Sequence, residues 1–334
     1  MCRSTQTRVW MIVVAVIILI SLAGCASVKE PAPGAITDVK VAMGFIPNVQ
    51  FTPFYVAQEK GYFSDAGLNV TFDYGMETDL IKLLASDELQ FVVGSGDQVV
   101  LARSQGLPIV YVLQWYREYP VSVVSLAESG IESPADLVGK TVGTPAMYGA
   151  SYVGWKGMVY GAGLPEEQIN LQTIGYTQMA SLLEGRVDAA ICYVVNVPVQ
   201  LRQAGHQINE LLVSDYVDLV SNGLMTNEIS IDERADTVAA LVGALVHGIE
   251  DTVADPDAAF EIALKHVPEA GGDNAAAQKA VLERSVELWR ADDIGFSNRD
   301  SWAASQQFMR QMGLIDGEVD IDEMFTNRFV TDAQ

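Results

Sequence analysis

Short β-branched runs alternate with helix-patterned segments from residue 39 to about residue 206, and this rhythm limits the fold more than any other feature of the chain. Val39 to Phe45 reads as a strand, Pro53 to Lys60 as a helix stopped by Gly61, Val70 to Tyr74 as a strand and Asp79 to Ser86 as a short helix. Phe91 to Val93 forms a strand running into Gly94-Ser95-Gly96, and Gln98 to Gln105 a helix stopped by Gly106-Leu107-Pro108. Successive parallel strands need a crossover, usually a helix. The rhythm therefore predicts an α/β fold with a mainly parallel sheet covered by helices on both faces. Ile109 to Trp115 and Val121 to Leu126 follow as two strands with little between them.

The rhythm restarts at Ser133-Pro134-Ala135-Asp136, which carries a Ser N-cap and Pro at the first helical position. Val142-Gly143 is a strand, Ala150 to Tyr160 a helix, Leu171 to Ile174 a strand, Gln178 to Glu184 a helix and Ala189 to Tyr193 a strand. From Ile231 onward the chain is nearly all helical, with Asp232 and Asp255-Pro256 as caps and Leu241, Leu245 and Ile249 spaced as one helical stripe. We expect residues 38–120 and 222–334 to form one lobe and 121–221 a second. Connecting strands near Tyr119–Ser122 and Val213–Gly223 would hinge them around a ligand cleft. In open α/β sheets that cleft lies at the carboxyl ends of the strands.

The N-terminus predicts where such a protein works. Arg3 and Arg8 precede twelve uninterrupted apolar residues, Val9 to Ile20, and then Leu22-Ala23-Gly24-Cys25. Twelve helical residues cover roughly 18 Å, short of the ~30 Å bilayer core. The segment therefore reads as a signal peptide over 1–24. Leu-Ala-Gly-Cys matches the bacterial lipobox, so Cys25 is the expected lipidation site, with residues 25–37 as a tether on the extracytoplasmic face of the cell membrane.

The chain has 20 Lys+Arg against 43 Asp+Glu. Without Arg3 and Arg8 the balance is 18 minus 43, or −25. So acidic a surface repels nucleic acid and anionic lipid. Beyond Cys2 and Cys25 the only cysteine is Cys192, in an apolar run where it reads as a small buried hydrophobe. No intrachain disulfide is then available. His206, His247 and His266 show no ligand spacing, so no metal site is expected.

The predicted strand-end loops hold Asn48, Gln50 and Phe51, then Glu77 and Asp79, then Ser95, Asp97 and Gln98, then Trp115, Tyr116, Arg117 and Tyr119. The second lobe adds Tyr148, Ser151, Trp155, Tyr176, Gln178, Tyr193 and Asn196. Aromatic, amide and carboxylate groups dominate, with Arg117 the one cation. An anionic ligand needs cationic or convergent N–H donors. A flat heterocycle needs aromatic faces and a few polar groups at its edge. The inventory favours the second.

Several segments carry a specific resemblance. They are Phe45-Ile46-Pro47-Asn48, Pro53-Phe54-Tyr55-Val56-Ala57, Glu59-Lys60-Gly61-Tyr62-Phe63, Gly94-Ser95-Gly96-Asp97, Pro134 to Gly143, Leu183 to Ala189 and Asn196-Val197-Pro198. In this order the chain resembles the substrate-binding proteins of ABC importers, in the family of thiamine-pyrimidine synthase-like and nitrate/sulfonate-binding proteins. The resemblance implies a two-lobed periplasmic-binding-protein fold, a monomer without catalysis or cofactor, and delivery of ligand to a permease driven by an ATPase. Through Gly44 to Phe51 the chain is similar to riboflavin-binding lipoproteins, and many pyrimidine binders of the family carry His where Gln50 stands. Riboflavin is thus the expected ligand. A thiamine-precursor pyrimidine is the alternative, and a sulfonate or nitrate the remoter one. The pyrimidine synthases of the superfamily use a cysteine-rich iron motif and a pyridoxal-phosphate lysine; with one cysteine in the fold, the chain is expected not to be an enzyme. Residues Asn48, Gln50, Phe51, Asp97, Trp115, Tyr116, Tyr119, Tyr148, Ser151, Trp155, Tyr176, Tyr193 and Asn196 are the candidate ligand contacts.

Overall fold

A computed structural model describes residues 36–331. The signal, Cys25 and most of the tether lie outside the described residues. Thr37, expected to end the tether, already begins the first strand and pairs with Leu68.

Among the described residues, ten strands form two five-stranded sheets. In the first, β1 (Thr37–Met43), β2 (Leu68–Tyr74), β3 (Phe91–Ser95) and β4 (Ile109–Gln114) are joined through helices α1 (Thr52–Glu59), α2 (Glu77–Ala85) and α3 (Gly96–Ser104). The chain then passes to the second sheet, β5 (Val121–Leu126), β6 (Thr141–Thr144), β7 (Asn170–Thr173), β8 (Ala189–Tyr193) and β9 (Ile208–Leu212). Here α4 (Gly149–Ala162), α5 (Gln178–Leu183) and α6 (Val197–Gln203) make the connections. It returns to the first sheet as β10 (Asn222–Asn227). The spatial orders are β2-β1-β3-β10-β4 and β7-β6-β8-β5-β9.

Both sheets are mixed rather than mainly parallel. β1 runs parallel to β2 and β3, but β10 is antiparallel to β3 and β4; β5 is likewise antiparallel to β8 and β9. The cause is the crossing itself. A chain that leaves one sheet at a strand's carboxyl end enters the other sheet from the carboxyl ends of its strands, so the arriving strand runs against them. Single-chain periodicity does not reveal this, and β9, β10 and α6 escape the strand-helix rhythm. The Ser133-Pro134 cap is present with a capping box through Asp136, but it opens only the 3-10 turn Pro134–Leu137.

There follow α7 (Glu228–Glu233), α8 (Ala235–Ala254), α9 (Pro256–His266), α10 (Ala275–Trp289) and α11 (Arg299–Gln311), and the short helices Ile321–Met324 and Arg328–Thr331 close the described residues. Val238, Leu241, Val242, Leu245 and Ile249 form the buried stripe of α8. That stripe lies so close to α1 that a Cβ on Gly248 would stand 2.3 Å from the Pro53 carbonyl oxygen. Trp289 of α10 stacks on Trp115 at 5.4 Å between ring centroids, and Trp302 of α11 meets Tyr111 of β4 at 5.2 Å. The helical tail therefore completes the core around the first sheet.

Candidate ligand-binding cleft

A cleft of about 370 Å³ opens where the strand ends of the two sheets converge, a size suited to a small organic ligand. Its first wall comes from Gly44 and Phe45 after β1, Met76 and Glu77 after β2, Gly94 in β3 and Trp115-Tyr116 after β4. The second comes from Pro145, Ala146 and Tyr148 to Ser151 after β6, Tyr176 after β7, and Tyr193 and Asn196 at the end of β8. Gly44 is required by close approach, since a Cβ there would stand 2.5 Å from the Val93 carbonyl oxygen.

Ten of the candidate contacts line this cleft: Asn48, Gln50, Phe51, Trp115, Tyr116, Tyr148, Ser151, Tyr176, Tyr193 and Asn196. The amides organise one another across it. Asn48 Oδ1 accepts from the Gln50 backbone N–H at 3.0 Å and from Gln50 Nε2 at 3.1 Å, and Gln50 Nε2 also donates to Asn196 Oδ1 at 2.8 Å. Phe45 and Tyr176 face each other from the two walls at 6.0 Å between centroids. Tyr148 and Tyr176 are 59% and 66% exposed. Ile46 and Met76 on the lining are exposed as well. Exposed apolar side chains gathered at one cleft mark a surface kept for a ligand.

Three candidates lie elsewhere. Trp155 is fully buried in α4, and its Nε1 donates to Glu166 Oε1 at 3.1 Å. Its position on the inner face of the helix puts the indole in the core of the second lobe, away from the strand ends. Asp97 and Tyr119 are 1% and 2% exposed. The Tyr119 hydroxyl is 2.9 Å from Asp97 Oδ1 and 2.8 Å from the Ala150 carbonyl oxygen, while Asp97 Oδ2 accepts from Gln98 Nε2 at 2.6 Å. Burial raises the Asp97 pKa. The Tyr119 hydroxyl is thus placed to donate to the Asp97 carboxyl and to the Ala150 carbonyl. The pair ties the first lobe to the start of α4 and does not face a ligand. Arg117 also stands outside the cleft, exposed and 3.7 Å from Asp293.

Other lining residues were absent from the candidate contacts, chiefly Phe45, Glu77, Gln178, Gln200, Asn222 and Cys192. Glu77 and Gln178 had a signal in the sequence, because both sit in strand-end loops. Gln200 had none, since α6 was not foreseen; Asn222 falls in the connecting strand expected near Val213–Gly223 but was not singled out as a contact. The Glu77 carboxyl accepts from the Ser95 backbone N–H and, at 2.9 Å, from the Ser95 hydroxyl. Loss of hydration and the nearby negative charge of Asp97 push its pKa up to about 8. Burial raises the Cys192 thiol far above its ordinary value, so it is no thiolate nucleophile. No Lys, Arg or His lines the cleft among the described residues.

Comparison with known proteins agrees with this architecture. The chain is 36% identical to riboflavin-binding protein RibY of Chloroflexus aurantiacus, over 91% of this chain and 90% of that one. It is 35% identical to a formylaminopyrimidine-binding protein of Halalkalibacterium halodurans, over 75% and 77% of the two chains. At 22% identity, over 88% and 93%, it also matches a 4-amino-5-hydroxymethyl-2-methylpyrimidine phosphate synthase of Legionella pneumophila. Among solved structures, a Candida albicans protein described as having the generic periplasmic-binding-protein fold superposes with a TM-score of 0.67 at 19% identity, over 87% and 97%. The NMT1/THI5-like family model matches residues 48–259. With a family match across most of the chain and two α/β lobes meeting at their strand ends, the protein belongs to the NMT1/THI5-like family and has the periplasmic-binding-protein fold.

Proposed function

We propose that the protein is the solute-binding component of an ABC importer and that its ligand is riboflavin. One observation carries the choice of ligand class. The cleft is lined by the rings of Phe45, Phe51, Trp115, Tyr116, Tyr148, Tyr176 and Tyr193 and by the amides of Asn48, Gln50, Gln178, Asn196, Gln200 and Asn222, without a cationic side chain among the described residues. A sulfonate or nitrate would enter such a site without a charged partner. A neutral three-ring heterocycle finds faces for its rings, and its hydroxylated chain finds amides. RibY is a riboflavin-binding protein by name and shares 36% identity. The formylaminopyrimidine-binding relative supports a smaller aminopyrimidine as the second reading.

The role we assign is capture and delivery without catalysis. The cleft has no His, no thiolate and no cationic side chain among the described residues, and the Glu77 carboxyl is held by the Ser95 backbone N–H and hydroxyl. The ligand would pass to a permease and its ATPase, with Cys25 tethering the protein by lipid to the outer face of the cell membrane.

Titration of the mature protein with riboflavin, a thiamine pyrimidine and taurine tests the ligand. We expect riboflavin to bind with strong quenching of flavin fluorescence by the Tyr and Trp faces, and taurine not to bind. Aminopyrimidine binding with no response to riboflavin would move the assignment to the second reading. Fatty-acid labelling tests the anchor, since Cys25→Ser should abolish incorporation.

A further inference from the structure

Glu77 and Asn222 carry a chemistry that the aromatic lining does not use. Both line the cleft, Glu77 at the start of α2 and Asn222 at the start of β10, where it pairs directly with Ser95 of β3. Ser95 donates twice to one oxygen of the Glu77 carboxyl, Oε1, from its backbone N–H and its hydroxyl. With Oε1 engaged as a double acceptor, the proton of the neutral acid resides on Oε2. Gly94 keeps room for this arrangement, as a Cβ there would fall 2.3 Å from Oε1. The Asn222 amide is half used. Its Nδ2 donates to the Tyr193 hydroxyl at 3.4 Å, while its Oδ1 is buried with no hydrogen-bond partner. A buried acceptor left without a donor is costly unless a ligand supplies one.

We propose that the neutral Glu77 carboxyl and the Asn222 amide oxygen form a donor–acceptor pair that reads an adjacent acceptor and donor on the edge of a heterocyclic ligand. The inference rests on the heterocycle reading above. The uracil-like end of riboflavin offers C=O beside N–H; an aminopyrimidine offers ring N beside NH₂. Loss of hydration and the charge of Asp97 oppose ionisation of Glu77 and outweigh the two Ser95 donors, which favour it. The titratable groups facing it are Asp97 from α3, the phenol of Tyr119 after β4, and those of Tyr176 and Tyr193 from the second lobe, with no cation lining the cleft among the described residues. On its own helix, Asp79 and Lys82 pair with each other at 2.9 Å on the exposed face.

The test is titration of riboflavin and a thiamine pyrimidine into wild type, Glu77→Gln, Glu77→Leu and Asn222→Leu, between about pH 6 and about pH 9.5, with an N3-methylated flavin as the ligand lacking the donor. Wild-type affinity should hold to about pH 8 and then fall by up to about tenfold per pH unit as the donor is lost. Glu77→Gln keeps a donor and an acceptor and should show no such fall. Glu77→Leu and Asn222→Leu should weaken binding on the order of tenfold at neutral pH. Methylation at N3 should weaken wild type and leave Asn222→Leu little changed. The same pH profile in wild type and Glu77→Gln, or full affinity in Asn222→Leu, would overturn the proposal. Whichever ligand binds, the infrared difference between ligand-free wild type and Glu77→Gln at neutral pH should contain a protonated-carboxyl band. Its absence sinks the neutral Glu77; its presence without flavin binding sinks only the riboflavin reading.

Discussion

The side-chain amide of Gln50 donates to Asn196 Oδ1 across 2.8 Å, joining residues 146 positions apart that stand on opposite walls of the cleft. Gln50 follows β1 in the first lobe, and Asn196 precedes α6 in the second. Asn48 holds the same Gln50 nitrogen from behind at 3.1 Å, so the donor is already oriented when the walls meet. The bond lies on the surface that a ligand would share, which makes it a contact that ligand binding and lobe closure compete for or reinforce.

Removing this link should loosen the approach of the lobes. Gln50→Ala and Asn196→Ala should each cost about 0.5–1.5 kcal/mol in ligand affinity, and the double variant should cost less than their sum because the two side chains share one bond. Small-angle scattering of the ligand-free proteins should show a larger radius of gyration for Asn196→Ala. Strict additivity with unchanged dimensions would remove the link from any role in closure.

Tyr119 and Asp97 predict a different outcome, because neither faces the ligand. Tyr119→Phe leaves Asp97 Oδ1 and the Ala150 carbonyl without the phenol donor in a buried site. The expected cost is about 1–3 kcal/mol of stability, seen as a lower denaturant midpoint with an unchanged m-value. A variant as stable as wild type would show that water replaces the phenol there.

Aromatic truncations should separate cleft from core. Tyr176→Ala removes an exposed ring on the cleft wall and should weaken ligand binding by about 0.5–1.5 kcal/mol with little change in melting temperature. Trp155→Ala empties a fully buried site in the second lobe and should destabilise the fold by about 3–5 kcal/mol. Paired calorimetry of folding and binding reads both. Strong weakening of affinity by Trp155→Ala without loss of stability would contradict the placement of that indole.

The Glu77 acid makes stability depend on pH in a stated direction. Its folded pKa of about 8 lies above the ordinary value of 4.5, so the folded state holds more protons between these two values. Its contribution is least unfavourable below the lower value, declines as pH rises and reaches its full penalty above about pH 8. Glu77→Gln removes that penalty. Its melting temperature should therefore fall less than wild type between about pH 5 and about pH 9. Parallel curves for the two proteins would mean that Glu77 ionises freely in the fold.

Local sequence carries what local physics decides. The strands Val121–Leu126 and Ala189–Tyr193 are visible as apolar β-branched runs, and the helices ended by Gly61 and Gly163 as stretches closed by residues in left-handed backbone geometry. Because clefts in such folds open at strand ends, the loops after those strands also name much of the lining, including Gln50, Tyr176 and Asn196. What sequence does not carry is the direction in which a side chain faces and the partner brought from far along the chain. Trp155 and Tyr148 look alike as aromatics near one helix, yet Trp155 sits within α4 and is buried in the core, while Tyr148, in extended backbone just before that helix, is 59% exposed at the cleft. Asn222 joins the site only because β10 returns from the second lobe to lie against Ser95, an antiparallel pairing with no periodic signal of its own. Composition and periodicity settle a two-lobed α/β chain, while the neutral carboxyl, the orphan amide oxygen and the Gln50–Asn196 link arise only where desolvation and non-local pairing act together.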